Sequence, residues 1–176
     1  MGQVERYSFI PEHQTDSNFD YDYKTNEDSG FERGGRKFTR PCGWKKIALK
    51  IKGRYEDDTW FGGVGKRKNE KQSMDGEWAI SYHGPKDYKT IAAIINNGYD
   101  VDKNERANYG KGIYSSPDPA TAEGYSQELI YGEKHIKAMI MNRVHMSYTK
   151  VVNRGKFFVT ANDCMIRPIA VLIKEV

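Results

Sequence analysis

An α+β domain built on antiparallel sheets is the fold class this sequence predicts. Three observations lead there. Short apolar or period-two stretches outnumber stretches of helical period. Strand and helix candidates do not alternate in the βαβ order of a parallel sheet, and there is no internal repeat or heptad. At 176 residues the chain suits one domain with a tail better than two domains.

The boundary of that domain is drawn from composition. Residues 1–40 are poor in aliphatics, and Phe19, Tyr21 and Tyr23 stand isolated among acids. Such a stretch is expected to bury too little apolar area to offset its ordering entropy. It is therefore read as a flexible polar tail, with the folded domain spanning 41–176.

The elements follow in order. Residues 46–52 alternate polar and apolar, which predicts a half-buried strand with its lysines in water, ended by Gly53. Residues 53–76 carry Gly62, Gly63, Gly65 and the basic run Lys66-Arg67-Lys68. The spacing of a phosphate-binding loop is missing there, so a solvated loop is expected. Residues 77–82 form the next strand and deliver His83 at its end. Asp87 is an N-cap, residues 88–97 are a helix with Ile91, Ile94 and Ile95 on one face, and Gly98 is its stop. Residues 112–115 are a short strand. Ser116 or Asp118 caps the helix after it, each followed by a proline, and Tyr125 lies on that helix. Residues 128–131 and 134–144 pair as a hairpin whose second arm is apolar on both faces. Residues 157–159 and 169–173 complete the strands.

Charge and cysteines narrow the function classes. A net charge of +4 is too small to argue for nucleic acid on its own, though it suits an anionic small ligand. Cys42 and Cys164 are far apart and lack the spacing of a zinc site, so no metal is expected. No apolar run reaches membrane-spanning length, and the N-terminus lacks the apolar core of a signal peptide. Arg6 breaks the myristoylation pattern. Cytosol or nucleus is the expected compartment, without a membrane partner.

The chemistry concentrates between Ser81 and Tyr125. His83 is followed by Gly84, a polar side chain beside a bare backbone that a ligand can approach closely. Tyr114 closes a Gly-Lys-Gly-Ile-Tyr stretch, and Tyr125 follows eleven residues later. An imidazole, an open peptide unit and two aromatic rings are what a site needs to hold a flat ring bearing an amide. His135 and His145 lie on a predicted strand and its exit and are read as structural or solvated; His13 lies in the tail.

These pieces carry a resemblance. Tyr82-His83-Gly84, a helix ended by Gly98, Tyr109 to Tyr114, and Ala122-Glu123-Gly124-Tyr125 together resemble the NAD-binding core of the diphtheria-toxin-type, or poly(ADP-ribose)-polymerase-like, ADP-ribosyltransferases. The resemblance covers roughly residues 77–145. It implies two packed, mostly antiparallel sheets with a few flanking helices, NAD as co-substrate, and transfer of ADP-ribose to a protein or nucleic-acid acceptor.

It also implies roles. His83 would bond the adenosine-ribose hydroxyl. Gly84 would grip the nicotinamide carboxamide with its N–H and C=O. Tyr114 would support the nicotinamide ribose, and Tyr125 would stack on the nicotinamide. The family's third residue, often a glutamate, has no counterpart in the expected place; Asp163 is the candidate, with Asn162 second. A shorter acid there argues for transfer of single ADP-ribose units. Ala122 stands where many members have a serine, which would weaken NAD binding by about 1 kcal/mol; Thr121 and Ser126 are the candidate substitutes. These departures keep open an inert module of the same fold that binds NAD, ADP-ribose or a protein. A third, weaker expectation is a relative acting on RNA 2′-phosphates with NAD, supported only by the basic run at 66–68.

Overall fold

The computed structural model describes residues 4–24, 30–62, 67–103 and 108–176. Gly63, Gly65 and Lys66 of the glycine-rich basic stretch lie outside them, as do 1–3 and 25–29 of the predicted tail. The architecture is α+β with few helices, and every strand pair described is antiparallel.

The larger sheet has six strands. They are β1 (Tyr21–Asp22), β4 (Lys45–Ala48), β5 (Ala79–His83), β7 (Leu129–Tyr131), β8 (Lys134–Val144) and β11 (Ile166–Glu175). Their order is β1-β4-β11-β8-β5, with β7 also paired to β8. β8 is long enough to take β7 on its first half and β5 on its second. Its residues from Ala138 to Val144 are buried on both faces, as its sequence predicts. A smaller sheet runs in the order β6-β10-β9, from β6 (Ile113–Ser115), β9 (Thr149–Val152) and β10 (Phe157–Thr160). β2 (Glu32–Arg33) and β3 (Arg36–Lys37) form a separate hairpin over a Gly34-Gly35 turn, where both residues have positive φ.

Helix α1 spans Tyr88–Asn97. The Asp87 side chain accepts from the Thr90 N–H at its start, and Ile91, Ile94 and Ile95 are buried. Helix α2, Pro119–Glu123, is capped by Asp118, which accepts from the Ala120 N–H, with Pro119 at the first turn. Tyr125 lies just past its end rather than on it; the Tyr125 N–H donates to the Ala122 carbonyl.

Two further expectations are corrected. The segment read as a flexible tail is packed onto the domain wherever it is described. Tyr7, Ile10 and Tyr23 belong to the main core, and Phe31 is buried. Residues 14–23 run along the edge of β4, through the Thr15–Leu49 bridge, the Lys50 N–H to the Gln14 carbonyl and the Tyr21–Lys46 pair. Tyr7 and Phe9 pack against Tyr131, and Phe9 against Tyr88. A few large rings with distant partners replace the aliphatic run that composition looks for. Lys46 is the second correction: it sits half-buried between β1 and β11, and burial, then the nearby Arg143 charge, lowers its ammonium pKa to about 8.

The interior also holds charge. The Glu77 carboxylate is fully buried and accepts from Arg67 at 2.6 and 3.0 Å, from Arg143 at 3.0 Å and from the Met74 N–H at 2.9 Å. Arg167, buried at the start of β11, stacks on Tyr55, Trp78 and Trp60 with its guanidinium carbon 4.1, 4.2 and 5.0 Å from the ring centres.

Candidate functional site

The two sheets meet at a seam between β5 and β6. Tyr82 and Ser116 exchange backbone hydrogen bonds, N–H to C=O in both directions, at 2.7 and 2.9 Å. In β6 the groups that face this seam alternate, so the Tyr114 carbonyl points the same way as Ser116. His83 meets it: the Nδ1–H of His83 donates to the Tyr114 carbonyl at 2.8 Å.

That bond fixes the chemistry of the ring. A carbonyl only accepts, so the proton sits on Nδ1 and Nε2 of the neutral ring is an acceptor. Burial lowers the His83 pKa, outweighing the Tyr114 carbonyl that raises it. The imidazole is therefore neutral at pH 7 and offers Nε2 to a hydroxyl donor. Its orientation has a second support. The buried Tyr99 ring stands edge-on to it, 5.4 Å between centres and 87° between planes. The Tyr99 hydroxyl in turn donates to Asn142 Oδ1 at 2.7 Å, and Asn142 is fully buried.

Gly84 follows on the same strand end and lies against the end of α2. A Cβ there would sit 2.3 Å from the Ala122 carbonyl oxygen and 2.7 Å from the Ser126 nitrogen, so only glycine fits. The Gly84 N–H and C=O make no hydrogen bond among the described residues. A half-buried peptide unit with both groups open suits a carboxamide, which needs one donor and one acceptor.

The two tyrosines differ from each other. Tyr125 is 61% exposed, with its ring edge-on to Phe157 at 5.9 Å, so a ring face is open. The Tyr114 hydroxyl is engaged: it donates to the Gly110 carbonyl at 2.7 Å and accepts from the Tyr109 N–H at 3.0 Å. Tyr114 thus fastens the 109–110 turn, and its backbone rather than its hydroxyl reaches His83. The sequence points to these residues through their spacing, but not to Tyr99 or Asn142. Those two are joined only by a contact across 43 positions.

Asp163 starts a short 3-10 turn between β10 and β11, capped by the Asn162 side chain on the Cys164 N–H. The Asp163 Oδ2 accepts from the Val101 N–H at 3.2 Å, two residues beyond Tyr99. Asp163 therefore holds the segment that supports the His83 ring, while Asn162 serves as a cap. The candidate substitutes for the missing serine are already bonded: Thr121 Oγ1 donates to Asp118, and Ser126 Oγ to the Glu123 carbonyl. His135 pairs with Glu128 at the surface, and His145 Nδ1 accepts from the Ser147 N–H.

Two surface cavities lie outside this cluster. One of about 330 Å³ is lined by Phe31, Phe38, Thr39 and Pro117. The other, of about 260 Å³, is lined by Glu77, Trp78 and His145. Among the described residues no group of His, Cys, Asp and Glu could hold a metal ion, and no helix is long and apolar enough to cross a membrane. Comparison with protein-family models and with curated proteins finds no match to this chain.

Proposed function

We propose that the chain is an NAD-dependent mono-ADP-ribosyltransferase, cleaving the nicotinamide–ribose bond and passing one ADP-ribose to a protein or nucleic-acid acceptor. The observation that carries this reading is the meeting of His83, Gly84, Tyr114 and Tyr125 at one seam, although they are spread over more than forty positions. His83 is bonded to the Tyr114 carbonyl, and Gly84 lies against the backbone of Tyr125. The open groups at that seam suit the two ends of a dinucleotide. A neutral Nε2 acceptor takes a ribose hydroxyl. An unpartnered N–H and C=O take a carboxamide. An exposed phenol ring stacks on the nicotinamide, whose positive charge strengthens the contact.

The bond to be broken passes through an oxocarbenium-like transition state, so a carboxylate near the ribose would lower the barrier. Asp163 is the candidate. Its present bond to the Val101 N–H favours a second reading, an inert module that binds NAD or a protein and uses Asp163 only to brace its loop.

Incubation with NAD labelled in its adenine half, alongside an assay for free nicotinamide, separates the readings. Label on the chain or on an added acceptor, lost in His83→Ala, supports the transferase. NAD binding by calorimetry with no nicotinamide release supports the inert module. No NAD binding at all removes both NAD-based readings and leaves a fold without this function.

A further inference from the structure

β9 is the outer strand of the β6-β10-β9 sheet, and among the described residues nothing pairs with its far edge. Which of its backbone groups face outward follows from one bond. The Ala161 N–H donates to the Tyr148 carbonyl at 3.2 Å, immediately before the ladder begins. In an antiparallel pair, hydrogen-bonded and non-bonded rows alternate. Lys150–Val159 and Val152–Phe157 are then bonded rows, whereas Thr149–Thr160 and Val151–Phe158 are not. The N–H and C=O of Val151 and the C=O of Thr149 point to the free edge with no hydrogen-bond partner among the described residues, whereas the Thr149 N–H donates to the Met146 carbonyl. This is an open template for one more strand.

The charge around that edge has one sign. From Ser147 to Asn162 the chain holds Lys150, Arg154 and Lys156 and no Asp or Glu. Arg154 stands at the tip of the β9–β10 turn with φ 56°, next to Asn153 at φ 51°. Left-handed backbone is unfavourable for an arginine and natural for glycine, so the tip holds this cation at a local cost. Val151 of this strand and Tyr148, in the 3-10 turn just before it, are 38% and 49% exposed, which adds apolar contact beside the edge.

We propose that the β9 edge docks an extended, acidic polypeptide segment, which adds a strand antiparallel or parallel to β9. Backbone pairing through the Val151 N–H and C=O and the Thr149 C=O supplies the ladder, and acidic side chains of the guest meet Lys150, Arg154 and Lys156. The same cations disfavour self-pairing, because two copies of this edge would bring like charges together. A nucleic acid is less well suited: it would use the charges and leave the Val151 N–H and C=O and the Thr149 C=O unused. The edge is continuous with the seam, since Lys150 Nζ donates to the Tyr109 carbonyl of the turn that Tyr114 fastens. The proposal does not depend on the transferase reading, and its test measures binding alone.

The probe is a fluorescein-labelled peptide in which glutamate alternates with valine, titrated against the full chain by anisotropy. Binding should fall steadily with salt. Val151→Pro removes an outward N–H without touching a bond to β10 and should weaken binding about tenfold, the loss of one edge hydrogen bond plus the ring's obstruction. The double variant Arg154→Glu, Lys156→Glu should weaken it by about tenfold or more. Amide exchange on the unsubstituted chain, with and without peptide, should slow at Val151; this measurement stands even if a variant fails to fold. Absence of peptide binding overturns the proposal. So does binding that Val151→Pro leaves intact and that a single-stranded oligonucleotide displaces, because charge alone then explains it. A dimer of the free chain that protects the Val151 amide also overturns it, since the edge would belong to a second copy.

Discussion

His83 Nδ1 lies 2.8 Å from the carbonyl oxygen of Tyr114, so a residue of the large sheet has its tautomer set by a residue of the small one. The imidazole is thereby an acceptor at Nε2, and burial keeps it neutral by lowering its pKa.

The first prediction follows from that sign. Protonation turns Nε2 into a donor, so NAD affinity should be flat from about pH 8 to about pH 6.5 and fall at lower pH, as His83 charges below its ordinary range. Stability should move the same way. The unfolded chain binds the His83 proton first as pH drops below about 6.5, so stability falls with acid until the folded pKa is passed. Calorimetric titration of NAD and urea unfolding across that range check both, with His83→Gln expected to flatten each profile.

Tyr99→Phe tests the support of that ring. It keeps the edge-on contact and removes the hydrogen bond to Asn142, leaving a buried amide oxygen without its donor. A loss of about 1–3 kcal/mol in urea unfolding is expected. If His83 needs this brace, NAD binding should weaken as well, while the pH profile keeps its shape.

Asp163 separates bracing from catalysis. Asp163→Asn retains an oxygen to accept from the Val101 N–H but removes the charge. Nicotinamide release should drop by about a hundredfold or more with NAD affinity nearly unchanged. Turnover equal to that of the unsubstituted chain would leave Asp163 as a brace only.

Glu77→Gln is expected to destabilise the fold by about 3–5 kcal/mol, because it leaves Arg67 and Arg143 without their buried counter-charge. Burial raises the Glu77 pKa, but the hydrogen bond from Arg67 and the charge of Arg143 outweigh it, and the net shift is downward. Its contribution is present above the ordinary carboxylate pKa and is lost as pH falls through the lowered one. Thermal unfolding of both forms should converge at the acid end.

Lys46→Met should stabilise the chain by about 2 kcal/mol near pH 7, since it replaces a half-buried ammonium whose pKa is lowered to about 8. A lowered lysine pKa costs stability in full below about pH 8, and that cost fades as pH rises toward the unfolded value. The gain in melting temperature should therefore shrink between about pH 8 and about pH 10.

What the sequence made legible was local. Asp87, three spaced isoleucines and Gly98 mark α1 from end to end, and Asp118-Pro119 marks the start of α2. The apolar run of β8 is plain because both of its faces are covered. The four residues at the seam were visible as motifs, since each motif is a short run of neighbours. The rest depends on contacts at long range. Tyr7 meets Tyr131, and Tyr23 is held to Trp44, so no window of the first forty residues reveals their burial. Lys46 breaks the expected alternation because the face that periodicity leaves open to water is itself covered: its register partner on that face, Leu172 of β11, is fully buried. The engagement of the Tyr114 hydroxyl depends on a turn whose path no spacing rule supplies.

The reciprocal pair between Tyr82 and Ser116 ties the movement of one layer to that of the other. With the two layers stitched together at that point, they cannot part like jaws without breaking both stitches and tearing His83 from its carbonyl. The turn at Tyr109 and Gly110 is tied into the same unit, since the phenol of Tyr114 in β6 and the ammonium of Lys150 in β9 both hold it.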